Sequence, residues 1–188
     1  MARAMAAAMR SMCVHFDGTG CIEVPVTRAI TLQSSSAVTV AQTTTLQLAE
    51  KGTFECWLRR SERSPMIVMS KGQDAAAPEC AVRVGTGLAF FTGQRWLPEA
   101  GVLQESVWQH IAVSYDGSQV SYFIDGELVM RFSEAVSPVT STQPLRIGQL
   151  GAQPTGDNFK GEIDEVRLWS TARTIAELRG ITLDCNHI

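Results

Sequence analysis

The chain has 188 residues, of which 45% are hydrophobic and 19% are charged, and its formal net charge is -3. This length and composition are typical of one soluble globular domain, and they argue against intrinsic disorder and against a membrane span. Basic residues are interspersed with acidic ones and form no patch that would neutralise phosphates, which argues against nucleic acid as a partner.

The first twelve residues, MARAMAAAMRSM, form an amphipathic tail. They lack the continuous apolar stretch of a secretory signal, so we expect an intracellular protein, of the cytosol or an organelle, and leave an extracellular location open. On a helical wheel the methionines lie opposite Arg3 and Arg10. These methionines are Met1, Met5, Met9 and Met12. Three interpretations follow: a short targeting segment, a frayed end, and a helix that docks on a protein partner through its methionines, which we favour.

From Val14 onward, short runs of β-favouring residues are separated by turn signals. This spacing predicts an all-β sandwich in residues 13–188. The predicted strands are 14–16, 21–24, 30–32, 38–41, 46–48, 53–59, 66–70, 80–84, 88–91, 109–115, 120–124, 127–131, 145–149 and 161–169.

Two Asp-Gly pairs mark tight turns between predicted strands. Asp116-Gly117 and Asp125-Gly126 both tolerate the positive φ angles of short hairpin turns. Residues 109–131 are therefore predicted to form a three-stranded antiparallel meander.

Residues 27–42 are rich in serine, threonine and glutamine and are predicted to be an insertion in the sandwich. An inserted hairpin and a low-complexity loop are both open. The alternation of Val38 with Val40 favours the ordered alternative.

One helix is predicted after the last strand. Thr174 and Glu177 have the spacing of a capping box, and Gly180 is a helix stop signal. We therefore expect one short C-terminal helix of one or two turns.

The five cysteines are irregularly spaced and include no CxxC pair, which argues against a zinc site. Cys56 alternates with Phe54 and Leu58 and is predicted to be a small buried side chain. The sequence contains no nucleophile elbow, zinc-protease helix or phosphate-binding glycine loop.

Seven stretches carry a family resemblance: HFDGTGCIEV (15–24), GTFECWLRR (52–60), MIVMSKG (66–72), WQHIAVSYDGS (108–118), SYFIDGELV (121–129), LRIGQ (145–149) and FKGEIDEVRLWSTARTIAEL (159–178). In this order and spacing they resemble the concanavalin A-like jelly roll of the laminin-G/pentraxin type, in particular its LamG-like jellyroll branch. The resemblance implies a two-sheet antiparallel jelly-roll sandwich whose first and last strands lie near each other, where they cover edges that would otherwise promote aggregation.

The resemblance raises the question of glycosidase activity, because glucanases of this fold use alternate carboxylates of one strand as nucleophile and acid/base. GEIDEV (161–166) imitates the first half of that motif. Alternation predicts that Glu162 and Asp164 point to one side and Glu165 to the other, with Val166 next in phase. A third carboxylate in phase is missing, so no enzymatic activity is predicted.

The resemblance also implies a calcium site between the first and last strands. Asp164 matches the carboxylate of the closing strand, Gly52 matches a glycine that supplies a carbonyl, and Asp17 is a third contributor. Calcium takes six to eight oxygen ligands, which these groups and water would provide. The alternative, equally open, is that Asp164 accepts hydrogen bonds from the backbone or from Arg167 without a metal.

The predicted function is non-catalytic binding, with two alternatives. The first is an accessory or structural subunit that makes protein-protein contacts within a larger assembly. The second is a calcium-dependent, lectin-like domain that binds carbohydrate or glycoprotein through the loop of Gln94, Arg95 and Trp96, in which Trp96 stacks on the ligand. We favour the first because no secretory signal is visible.

Overall fold

The computed structural model describes residues 12–16, 20–24, 29–42, 51–72, 78–136, 142–152 and 156–184, and for 12–16, 20–24 and 180–184 it describes the backbone alone. The predicted docking tail lies outside the described residues as far as residue 11, and Met12 begins the first strand. Asp17 of the predicted metal set lies outside them as well. In the part of the chain that is described, no helix is long and apolar enough to cross a membrane.

The described residues form two antiparallel sheets, a hairpin and one helix, so the predicted all-β sandwich is confirmed. One sheet has six strands in the order β11-β10-β9-β5-β13-β3, a second has five in the order β4-β12-β6-β7-β8, and β1 pairs with β2. In chain order the elements are β1 (Met12–Phe16), β2 (Gly20–Val24), β3 (Ile30–Leu32), β4 (Val38–Val40), β5 (Gly52–Arg60), β6 (Met66–Gly72), β7 (Pro78–Val84), β8 (Leu88–Phe91), β9 (Gln109–Tyr115), β10 (Gln119–Ile124), β11 (Glu127–Ser133), β12 (Leu145–Ile147), β13 (Gly161–Trp169) and α1 (Ile175–Asp184).

The core lies between the two sheets, because alternate side chains of each strand are apolar and point inward. Phe54, Cys56 and Leu58 of β5 are buried there with Val82 and Val84 of β7. Burial, with a smaller contribution from nearby carboxylates, raises the pKa of the Cys56 thiol well above its usual value. Cys56 is therefore a free, protonated core side chain, as its position in the alternating pattern predicted.

The strand neighbours of β13 place the two ends of the domain together. β13 pairs with β5 over most of its length and with β3 at its start. β1 lies alongside β13, so the expected proximity of first and last strands is confirmed. The meander β9-β10-β11 is confirmed too, with its turns at the two Asp-Gly pairs.

The predicted insertion at residues 27–42 contains two strands that do not pair with each other. β3 lies at the edge of the six-stranded sheet, whereas β4 lies at the edge of the five-stranded one. The segment therefore crosses from one sheet to the other instead of forming a hairpin. The strand predicted at 46–48 lies outside the described residues.

The helix α1 begins as predicted but ends later. The backbone N–H of Thr174 donates to the Glu177 carboxylate at 2.7 Å, which completes the capping box. The helix continues through Gly180 to Asp184, because glycine weakens a helix by only about 1 kcal/mol and does not break it. Leu178 anchors α1 against Ala112 and Phe123 on the outer face of the six-stranded sheet.

A bulge in β13 overturns the simple alternation expected after Asp164. Glu165 adopts a left-handed backbone with φ of 50°, and the register with β5 shifts at this point. Val166 consequently points into the core, and Arg167 takes the outward position opposite Glu55. The position in phase with Asp164 is thus occupied by an arginine.

Gly52→Ala tests how tightly the start of β5 packs. A Cβ at Gly52 would lie 2.8 Å from the Tyr115 hydroxyl oxygen and 3.1 Å from the Trp169 carbonyl oxygen. Tyr115 is buried, so the core would have to shift, and we expect the free energy of unfolding to fall by about 1–3 kcal/mol in urea denaturation.

Gly156→Ala is the matched control, because no heavy atom lies within 4 Å of a Cβ at that position. Equal stabilities of the two variants would contradict the proposed overpacking.

Candidate functional site

The outer face of the six-stranded sheet carries polar side chains in rows that run across the strands. In the first row, Arg131 of β11 lies opposite Ser121 of β10, which lies opposite Ser114 of β9. Ser114 lies opposite Thr53 of β5, and Thr53 lies opposite Trp169 of β13. Because directly paired residues project to the same side of a sheet, all five side chains share this face.

Two further rows continue the pattern along the strands. The second row is apolar towards β11 and ionic towards β13, and the third brings a histidine next to an indole and a carboxylate. The second row consists of Leu128, Phe123, Ala112, Glu55 and Arg167. The third row consists of His110, Trp57 and Asp164.

The carboxylate of Glu55 joins side chains of the strands on both sides of β5. Its Oε2 lies 3.1 Å from Nε2 of His110, and its Oε1 accepts a hydrogen bond from Nε1 of Trp169 at 2.7 Å. Burial by itself would raise the pKa of Glu55. The hydrogen bond and charge of His110, the Trp169 bond and the Arg167 charge outweigh burial and hold the pKa below its ordinary value.

Glu55 and His110 have the side-chain types of an acid-base pair, but their position excludes that role. Both side chains are 0% exposed. A general acid or base must come within hydrogen-bonding reach of its substrate. The pair therefore holds strands together, and the Trp57 ring packs edge-on against His110 with ring centres 5.5 Å apart.

The carboxylates of the GEIDEV stretch are likewise engaged within the protein. Glu162 forms an ion pair with Arg59, and Glu165 forms one with Arg167. Asp164 is buried, and its Oδ1 accepts the backbone N–H of Glu165 at 2.8 Å. The backbone hydrogen bond that was one alternative for Asp164 is thus present.

The predicted metal set is not assembled around one point. Asp164 lies opposite Trp57, which is five residues along β5 from Gly52. At about 3.3 Å per residue this separates the Asp164 and Gly52 backbones by about 16 Å, so one ion cannot bond both. Among the described residues no group of three or more His, Cys, Asp or Glu side chains could hold a metal. Calcium binding stays a prediction, and it does not fit the Gly52 carbonyl.

The predicted ligand-binding loop is the tight turn that follows β8. Phe91 and Trp96 pair across it, and their rings lie edge-to-face with centres 5.5 Å apart. The guanidinium of Arg83 lies 4.5 Å from the centre of the Trp96 ring, and Arg95 forms two hydrogen bonds to Glu134, at 2.6 and 3.0 Å. Gln94 is exposed at the turn. The structure therefore brings the three residues together, but protein groups already contact the Trp96 ring and hold Arg95.

A pocket of about 310 Å³ lies beside the first row, between the meander and the segment that leads into α1. Ser121 and Phe123 of β10 line it beneath, and Leu128 and Arg131 of β11 line one side. Residues 172–175 line the other side. Its volume is at the lower end of the range of about 300–1,000 Å³ that small-molecule sites occupy.

The side of the pocket next to α1 is held by the first row itself. The Thr53 hydroxyl donates to the Thr171 carbonyl and accepts the Arg173 N–H, both at 2.8 Å. The Ser114 hydroxyl donates to the Arg173 carbonyl at 3.2 Å, and the Arg173 guanidinium stacks 4.0 Å from the Trp169 ring centre. The pocket wall is thus fixed to the strands below it.

The β9–β10 turn supplies polar groups to the pocket. Asp116 Oδ1 accepts the backbone N–H groups of Ser118 at 2.9 Å and Gln119 at 2.8 Å. The hydrogen bonds from Ser118 and Gln119 lower the pKa of Asp116, which therefore carries a negative charge at neutral pH. With hydroxyls, a guanidinium and an apolar side, the pocket can pair both donors and acceptors of a polyhydroxylated ligand.

Sequence reasoning missed this pocket. One signal was available, since Ser114 and Ser121 flank the Asp116-Gly117 turn at equivalent outward positions of a hairpin. The place of Arg131 depends on the bulge in the β10–β11 pairing, and that of residues 172–175 on a loop. Neither position could be predicted from the alternation of apolar and polar residues in the sequence.

A laminin-G model of the concanavalin A-like lectin/glucanases superfamily matches residues 32–179, which is most of the chain. The chain belongs to this superfamily. Mouse pappalysin-1 is 34% identical over 73 residues, which cover 38% of this chain and 4% of pappalysin-1. The chain thus spans a small part of the curated relatives that it matches.

Solved structures share the superfamily fold at low identity. The CBM40 domain of Ruminococcus gnavus IT-sialidase, bound to α2,3-sialyllactose, aligns with a TM-score of 0.69 and 15% identity over 82% of this chain and 96% of that chain. Domain 4 of the arabinanase AbnA from Geobacillus stearothermophilus, with arabinotriose, aligns with a TM-score of 0.64 and 17% identity over 82% and 76%. Identities this low establish the fold alone.

Glu55→Gln tests how much the buried Glu55 carboxylate contributes to stability. The variant keeps the shape of the side chain but removes the negative charge that His110, Trp169 and Arg167 surround. We expect the free energy of unfolding at neutral pH to fall by about 3–5 kcal/mol, because breaking a buried pair leaves its partners uncompensated. Glu162→Gln, which breaks a partly exposed pair with Arg59, should have a much smaller effect.

The pH dependence of stability gives an independent readout of Glu55. Its folded-state pKa lies below the ordinary value of 4.5, so its stabilising contribution is complete above about pH 4.5 and is lost as the pH falls through the folded-state value. The wild-type chain should therefore lose more stability in acid than Glu55→Gln. Parallel stability-pH curves of the two proteins would show that folding does not shift the pKa of Glu55.

Proposed function

We propose that the chain is a non-catalytic, sugar-binding module whose ligand occupies the pocket between the meander and α1. The observation that carries the proposal is the pocket's combination of side chains. Ser121 and Arg131 present polar groups, and Leu128, which is 40% exposed, presents an apolar surface on which the C–H face of a sugar ring can rest. Small-molecule sites commonly pair an apolar lining with a few placed polar groups.

Two similar folds support a sugar as the ligand class. The CBM40 domain is bound to sialyllactose and domain 4 of AbnA is in complex with arabinotriose. Because this sandwich fold carries many functions, the proposal depends on the pocket of this chain and not on the fold. It includes no calcium, since the Gly52 and Asp164 positions do not fit one ion.

Leu128→Ala tests the pocket directly. Leu128 is 40% exposed, so the truncation should leave the fold intact while it removes the apolar side of the site. We expect binding to an array of neutral and acidic glycans, with dissociation constants from micromolar to millimolar, and a loss of about five- to tenfold in affinity for the variant in titration calorimetry.

Two other variants show whether the glycan binds at the pocket or elsewhere on the surface. Val102→Ala truncates an apolar side chain that is 70% exposed and does not line the pocket, and it should bind like the wild type. Trp96→Ala tests the turn with Gln94 and Arg95. Glycan binding that is lost in Trp96→Ala and kept in Leu128→Ala would move the site to that turn, and absence of glycan binding by the wild type would refute the proposal.

A protein-contact function within a larger intracellular assembly is the second candidate. Three exposed apolar side chains favour it: Leu128, Met130 and Ile175 are 40%, 42% and 37% exposed. Two of them, Leu128 and Ile175, line the pocket. In this alternative the pocket receives a side chain of a protein neighbour.

Deletion of residues 1–11, which leaves β1 whole, tests this candidate together with the methionine-faced tail. If the tail docks on a partner, the truncated chain should elute as the free protein while the full chain elutes with its assembly in size-exclusion chromatography of native extract. Co-migration of the truncated chain with the intact assembly would contradict docking through Met1, Met5 and Met9.

A further inference from the structure

Arg131 differs from the other arginines around the pocket in what its guanidinium contacts. Arg173 lies over Trp169, with Nη1 3.5 Å from the Glu177 carboxylate, and Arg179 pairs with Glu127 at 2.6 Å. Arg131 makes one side-chain hydrogen bond, from Nε to the Ser121 hydroxyl at 3.2 Å. In the described part of the chain, its two terminal nitrogens have no carboxylate partner.

The Ser121 bond orients this guanidinium without neutralising it. A neutral hydroxyl accepts the Nε–H, which leaves the Nη1 and Nη2 donors of the planar fork for another group. Such a fork matches the two oxygens of a carboxylate, and charge-assisted bonds of this kind are about twice as strong as neutral ones. Arg131 lines the pocket, so an acid bound to it would lie in the site.

The negative charge of Asp116 determines how such a ligand lies. Asp116 directly follows β9 at the turn, whereas Arg131 is on β11, two strand spacings or about 10 Å across the sheet. A carboxylate would avoid the Asp116 end of the pocket and bind at the Arg131 end. Asp116 Oδ2, which has no hydrogen bond to the described residues, then accepts a hydroxyl from the rest of the ligand.

We propose that the pocket selects a sugar that bears a carboxylate, with the terminal nitrogens of Arg131 bound to the acid group and Asp116 bound to a ring hydroxyl. This inference rests on the proposed sugar-binding function and adds the charge of the substrate class to it. It names an acidic monosaccharide unit, at a chain end or alone, because the volume of about 310 Å³ is small for a longer segment.

Matched pairs of neutral and acidic probes test the inference. Lactose is compared with sialyllactose, and methyl glucoside with methyl glucuronide, by titration calorimetry on the full chain. Acetate serves as the control for a carboxylate without a sugar. The wild type should bind each acidic probe about tenfold more tightly than its neutral partner and should bind acetate no more tightly than the neutral sugars.

Variants of the two charged residues should shift this preference in opposite directions. Arg131→Gln should bind the acidic and neutral probes equally, and Arg131→Lys, which keeps the charge but loses the fork, should keep part of the preference. Asp116→Asn, which keeps an oxygen that can accept the ring hydroxyl, should increase the preference for the acidic probes, because it removes a like charge. Arg63→Gln is the control, since it removes an arginine that is 77% exposed and does not line the pocket.

The outcomes separate this inference from the function on which it rests. Equal binding of neutral and acidic probes by the wild type would overturn the role of Arg131 and leave the sugar-binding site in place. An acid preference that persists in Arg131→Gln, or falls equally in Arg63→Gln, would also overturn it. Failure of every probe to bind would refute both proposals. Unchanged melting temperatures of the exposed variants would exclude misfolding as the cause.

Discussion

Glu55 lies on β5, and its carboxylate holds side chains of the strands on either side, His110 of β9 and Trp169 of β13. A buried carboxylate is very unfavourable unless hydrogen bonds and opposite charge compensate for its lost hydration. Here both oxygens are engaged and the Arg167 guanidinium lies 4.0 Å away. The contacts of the Glu55 carboxylate with His110 and Trp169 form only when β5, β9 and β13 keep this register. A shift of one strand would therefore leave a buried charge without its partners and would cost stability.

The same constraint extends to the candidate site. The Trp169 indole that donates to Glu55 also supports the Arg173 guanidinium at 4.0 Å, and Thr53 beside it holds the Arg173 backbone. The wall of the pocket is therefore connected to the buried carboxylate through two contacts. Side chains that are held before a ligand arrives lose less conformational entropy on binding, which suits a module whose function is recognition.

The fold could be predicted because its signals are local. Alternation placed Cys56 in the core, the pairs Asp116-Gly117 and Asp125-Gly126 marked the meander, and the capping box at Thr174 marked the helix start. The sequence-based predictions fail where a single backbone angle changes the side of the sheet to which a side chain points. The positive φ of Glu165 brings Arg167 into phase with Asp164, and a period of two in the sequence contains no sign of it.

The site could not be predicted because it depends on which polar groups the rest of the protein leaves free. Trp96 and Arg95 have the residue types of a ligand-binding loop, yet Arg83 and Glu134, distant in sequence, contact them. Arg131 looks in the sequence like any arginine on an exposed strand. The role proposed for it rests on the absence of a carboxylate partner among the described residues, and this becomes visible only when every described neighbour has been placed.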